Sequence, residues 1–258
     1  MFLFRGPDRA SQEGPPLGLY LTEPARGLAD LASLPLAALW LPIAPRGDGH
    51  AVLVLPGLLA SDTSTLPIRQ FARWLGYDVH GWDLGRNRGP TDAVLDGLPA
   101  ALKSLAGRSG GPVSVIGWSL GGIFARELAR QHPELTRQVI TLGSPFALPE
   151  TARTRADGFY LRGSRLHARH RVPTREAVAR PIGVPSTAVY SRNDGIACWQ
   201  NCIEAETRLH ANVQVRCSHL GFGVDPATLW LIADRLATPP GRQPPFRPPP
   251  LLCPLYPR

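Results

Sequence analysis

The chain has 258 residues, 43% of them apolar, and a formal net charge of +8. That length and apolar fraction fit one domain with a large core. Lys103 is the only lysine, the rest of the positive charge is arginine, and no basic-aromatic stripe, zinc-finger or helix-turn-helix pattern accompanies it, so nucleic acid is excluded as the expected partner.

In chain order, Met1–Asp8 has no basic stretch followed by a long apolar run, and Leu28–Ala44 is broken by Asp30, Pro35 and Pro42. Neither reads as a secretory signal or a membrane span, and the expectation is a soluble, cytoplasmic protein. Residues 23–40 read as one apolar helix, interrupted at Pro35 and packed on a sheet. "AVLVLP" (51–56) is apolar and β-branched and stops at Pro56-Gly57, as a buried strand does. "STLPIRQFARWLG" (64–76) has Ile68, Phe71, Ala72 and Leu75 at helical spacing. A short strand is expected near 77–84 and a helix near 92–106. A strand at 113–117 is followed by a helix at 119–131, and strands follow at 137–145, 186–191 and 212–217. The last helix, 225–237, opens on Asp225 as cap and Pro226 in the first turn. Strand and helix alternate, which predicts an α/β fold. Its mostly parallel sheet has about six strands, with helices on both faces.

Two segments break that rhythm. Residues 146–183 are too long for a plain connection and read as an inserted cap or lid. Between 153 and 180, eight arginines stand against Asp157 and Glu176, a net charge of +6. That segment reads either as a solvated surface or as a basic flap making transient contact with an anionic membrane. The tail, 239–258, is proline-rich and reads as an extended strap or a disordered end.

The chemistry concentrates at "VIGWSLGG" (115–122). Gly117-x-Ser119-x-Gly121 between a strand and a helix is the nucleophile-elbow pattern. A serine hydroxyl needs a base, and the base needs an orienting acid. "STAVYSRNDG" sets Asp194 just past a strand, and "NVQVRCSHLGFG" sets His219 just past the next. His210 and His50 fall at strand starts, His132 at a helix end, His80 within a strand, and His167 and His170 in the expected lid. An oxyanion would need two N–H donors. Leu120, after the serine, supplies one. Leu58 in "VLPGLLAS" is the first choice for the other, with Leu59 next. Arg86 and Asn87 are expected near the mouth, either bonding neighbouring loops or touching substrate. Trp118, Trp82 and Trp199 are read as core or pocket wall. The four cysteines have no metal spacing. Cys217 either pairs with Cys198 or Cys202 or stays a reduced, buried thiol.

With these residues in place, the chain resembles the α/β-hydrolase superfamily over residues 45–237, in a lipase- or esterase-like bacterial branch. "VLVLPG", "GWSLGG", "SRNDG" and "SHLGFG" carry the resemblance. It implies a single α/β-hydrolase domain over 1–258 and a serine hydrolase acting on carboxylic esters, small-molecule or lipid, with Ser119, Asp194 and His219 catalytic and no metal or organic cofactor. A thioesterase, an acyltransferase and a non-catalytic binding module on the same scaffold are the alternatives. Acyl specificity and oligomeric state stay open.

Overall fold

The computed structural model describes residues 14–147 and 175–257. Six strands form one sheet in the order β2-β1-β3-β4-β5-β6, every neighbouring pair parallel. They are β1 (Ala51–Leu55), β2 (Asp78–Gly81), β3 (Val113–Trp118), β4 (Thr136–Leu142), β5 (Ser186–Ser191) and β6 (His210–Val215). Each lies within a few residues of its sequence-read position, because a run such as "AVLVL" leaves no polar face to put in water.

Helices cover both faces, as expected. Side chains alternate along each strand. Val52 and Val54 therefore join one core cluster with Ile68, Leu75, Trp230 and Leu231, while Ala51, Leu53 and Leu55 join the other with Leu98, Leu102, Phe124 and Leu128. The first side is closed by α3 (Leu66–Trp74) and α7 (Pro226–Leu236). The second is closed by α4 (Asp92–Ser109) and α5 (Leu120–Gln131). Thr91 caps α4 by accepting from Val94 N, and Asp225 caps α7 by accepting from Thr228 N.

The amino-terminal helix departs from expectation. α1 spans Leu17–Ala32, through Pro24, and a short α2 (Leu34–Ala37) follows it. It lies against the turn after β6 rather than on the sheet. Its outward side shows Leu17, Leu21, Leu28 and Leu31, while Glu23 is buried beneath it. The polarity is inverted from that of an ordinary core-facing helix, so the apolar run gives the wrong face and the wrong limits.

Most of the expected lid, 148–174, lies outside the described residues, and with it Arg153, Arg155, Arg162, Arg165, Arg169, Arg171, His167 and His170. A short α6 (Arg175–Ala179) leads back toward β5. The proline-rich tail is held on the fold. Arg235 Nη1 donates to Pro244 O at 2.8 Å, Gln243 Nε2 donates to Ser186 O at 2.8 Å, and Tyr256 Oη donates to Ala227 O at 2.7 Å. Among the described residues, no helix is long and apolar enough to cross a membrane.

Candidate active site

The sheet order reverses around β1 and β3, and in open parallel sheets the carboxyl ends at such a reversal leave a crevice for ligand. β1 and β3 are neighbours, with Leu55 opposite Gly117. The loop after β1 and the elbow after β3 therefore meet by construction.

At the elbow Ser119 takes φ 54° and ψ −120°, a strained conformation for a residue with a Cβ. Its N–H donates to Leu142 O at 2.8 Å, which ties the strained residue to the end of β4. The glycines are compelled by contact. A Cβ on Gly117 would lie 2.4 Å from Gly121 O, and one on Gly121 would lie 2.4 Å from Leu55 O. Both obstacles are backbone and cannot move aside.

Asp194 follows β5 and His219 follows β6, the edge strand beside it. His219 Nδ1 and Asp194 Oδ2 are 2.7 Å apart, and both side chains are buried. The other carboxylate oxygen, Oδ1, accepts the N–H groups of Ile196 (2.8 Å) and Ala197 (2.7 Å), which fixes the carboxylate's orientation. Burial works against a charged imidazole at His219. The Asp194 carboxylate and its hydrogen bond, with Glu23 behind them, outweigh it and raise the His219 pKa above its usual 6.5. Phe222 stands edge-on to the ring, centroids 6.1 Å apart.

Ser119 and His219 line one cavity of about 310 Å³, with Tyr20, Leu58, Leu59, Trp118, Ile196 and Leu220 among its walls. Its described lining is mainly apolar, with the hydroxyl and imidazole as its polar centre. Leu120 heads α5, so its N–H belongs to the first-turn donors that have no intrahelical acceptor. Across from it, the loop after β1 presses on the elbow: a Cβ on Gly57 would stand 3.3 Å from Ser119 Cβ. Leu59 N–H is already given to Asn87 O at 2.6 Å. That commits Leu59 N–H, the second choice, elsewhere, and Leu58 stays the first choice. Leu59 still lines the cavity, through its half-exposed side chain.

Asn87 does not face the cavity. It is fully buried; its Nδ2 donates to Pro56 O at 2.8 Å, its Oδ1 accepts Gly89 N–H at 3.1 Å, and its own N–H donates to Ala60 O at 2.8 Å. Of the two roles open to it, bracing neighbouring loops is the one its contacts support, because its polar atoms are spent on residues 56–60 and on Gly89. Arg86 is exposed and is not among the cavity's described walls. Trp118 lines the cavity and ties its indole N–H to His219 O at 3.1 Å. Trp82 is core, and Trp199 stacks on Tyr190 away from the cavity. Cys202, Cys217 and Cys253 are free thiols, and burial pushes those of Cys202 and Cys217 well above their usual pKa. Among the described residues, no cluster of histidine, cysteine and carboxylate side chains could hold a metal ion.

A second serine–histidine–aspartate string lies at the opposite end of the strands. His50 Nε2 is 2.8 Å from Ser114 Oγ, and His50 Nδ1 is 2.5 Å from Asp48 Oδ1. Ser114 is wholly buried, and Asp48 is shared with Arg137. With no access to the serine, this is a polar network joining the amino ends of the strands. Two residues that sequence reasoning missed hold the residues beside His219. Glu23 accepts Leu220 N–H and Asp30 accepts Ser218 N–H, each at 2.9 Å. Both lie on α1, far away in sequence, so no local spacing marks them.

No family model matches the chain. It is 38% identical over 68 residues to a pimeloyl-[acyl-carrier protein] methyl ester esterase of Nitrosomonas europaea, a match that covers 26% of this chain and 27% of that protein. Among solved structures it is similar to Aspergillus fumigatus lipase B, with TM-score 0.52 and 18% identity over 75% of this chain and 54% of that one. It is also similar to a pyrethroid hydrolase, with TM-score 0.51 and 18% identity over 72% of this chain and 96% of that one. At such identity these two likenesses concern the fold, and the esterase match spans about a quarter of either chain.

Proposed function

The chain has the α/β-hydrolase fold, and from that premise we propose that it is a serine hydrolase cleaving carboxylic esters through Ser119, His219 and Asp194. The observation that carries the proposal is the shared cavity. A strained serine and an imidazole line it together, and the imidazole's far nitrogen is bound to a buried carboxylate.

In this reading Ser119 Oγ attacks the ester carbonyl while His219 Nε2 takes its proton. Asp194 holds Nδ1–H, so Nε2 is the free base, and it stabilises the imidazolium that forms. The carbonyl oxygen becomes an oxyanion between the N–H groups of Leu58 and Leu120. Collapse of this intermediate breaks the ester C–O bond, and the imidazolium gives its proton to the departing alcohol. Water then attacks the acyl-serine, with His219 as base again, and releases the acid and the free serine. The apolar walls Leu58, Leu59, Ile196 and Leu220 suit an acyl or aryl group of modest size. The esterase match supports an ester substrate. A thioester would use the same groups.

The test is hydrolysis of p-nitrophenyl esters from C2 to C16, with Ser119→Ala alongside and fluorophosphonate labelling of both. The wild type is expected to release nitrophenol and to be labelled at Ser119. The alanine variant should lose on the order of 10⁴-fold or more in kcat. Rates should peak at short to medium acyl chains and fall once the chain outgrows the cavity. Equal rates in the two proteins, or no labelling of Ser119, would remove the serine from the mechanism.

A further inference from the structure

α1 carries its carboxylates inward. Glu23 is 2% exposed, and a buried carboxylate is costly unless donors surround it. Its donors are placed tellingly. Oε1 accepts Leu220 N–H at 2.9 Å, and Oε2 accepts Gly195 N–H at 2.9 Å and Arg26 Nη2 at 2.6 Å. Leu220 directly follows His219, and Gly195 directly follows Asp194. One side chain therefore grips the peptide group just after the base and the one just after its acid. About two turns further along α1, Asp30 Oδ2 accepts both N–H (2.9 Å) and Oγ–H (2.6 Å) of Ser218, so His219 is bracketed from both sides. The approach is close: a Cβ on Gly195 would lie 2.4 Å from Leu19 O and 2.6 Å from Glu23 Oε2. Arg26 also donates to Leu19 O at 2.7 Å and to Asn193 O.

We propose that Glu23 is a positioning residue of this site: it locks the acid and base loops together, holding His219 against Asp194, and places a second negative charge behind the imidazole. The proposal rests on the hydrolase reading for its kinetic consequences and on α1's contacts for its geometry. Among the described residues, the charged groups acting on His219 are Asp194 from the loop after β5 and Glu23 from α1. Arg26 on the same helix partly offsets Glu23, and Asp30 faces Ser218. Removing Glu23's charge should therefore make the imidazolium easier to deprotonate, and removing Arg26's should do the reverse.

The experiment compares wild type, Glu23→Gln and Arg26→Met by pH–rate profile and by NMR titration of the His219 ring without substrate. In Glu23→Gln the amide can serve Leu220 but turns a donor toward Gly195. Its kcat is expected to fall about tenfold with KM within about twofold. The acid limb of kcat/KM and the ring titration should both move down by about half a pH unit. Arg26→Met should move both upward. If neither variant moves the titration or the limb, Glu23 is only a packing residue and the proposal fails, even if kcat drops. Should Glu23→Gln not fold, the direction of the Arg26→Met shift decides. A wild type that hydrolyses no ester, with His219 shifting as expected, would overturn the hydrolase reading and leave the positioning role standing.

Discussion

Ser119 is held in a backbone conformation that only a fixed surrounding can impose, and that surrounding is backbone. Gly121→Ala should fail in a specific way: its Cβ meets Leu55 O and Pro56 O, so β1 and α5 must separate. Lost fluorophosphonate labelling and a Tm lowered by several degrees are the expected readouts. At His219 the sign of the pH effect follows from the raised pKa. As the proposed base, His219 works only when neutral, so kcat/KM should fall as pH drops through a value above 6.5. Stability runs the other way. The folded state holds this proton more tightly than the unfolded chain, so the contribution is complete below about pH 6.5 and is lost as pH rises through the folded value. Tm of wild type relative to His219→Asn, followed from pH 5 to 9, checks this. Ser119, Asp194 and His219 were legible in sequence because each is announced locally, by flanking glycines or by a strand that ends just before it. Glu23 is not, since its partners are 172 and 197 residues away.

At the scale of elements, the loop after β1 is the part of the site that depends most on a neighbour. The Asn87 side chain satisfies Pro56 O and Gly89 N–H, while its main-chain carbonyl accepts Leu59 N–H. Asn87→Ala leaves buried polar groups unpaired and should cost about 1–3 kcal/mol of stability by denaturant unfolding. Because the loop carries a proposed oxyanion donor, kcat should fall more than KM rises. The strands were legible from β-branched runs, and α7 from its Asp-Pro start. α1 was not, because its apolar side faces out and its acidic side faces in. The pattern that locates a core-facing helix therefore points away from where this helix binds.

Across the whole molecule, the parallel sheet carries the site at one end and a proline-rich strap along the other elements. Tyr256 Oη reaches Ala227 O, and Leu252 is buried against the same core. Tyr256→Phe should cost about 1 kcal/mol for the lost hydrogen bond, and deletion of residues 239–258 several times that, both read from denaturant midpoints.

The grip of α1 on the acid and base loops has a consequence in time as well as in space. Glu23 is made long before Leu220, and at about 5–20 residues per second the two are separated by roughly ten to forty seconds of synthesis. The helix must wait, unpaired, for its partners to emerge. Closing so long a loop is also slow in the refolding chain. Appearance of ester hydrolysis should therefore lag the recovery of helix and sheet signals after dilution from denaturant.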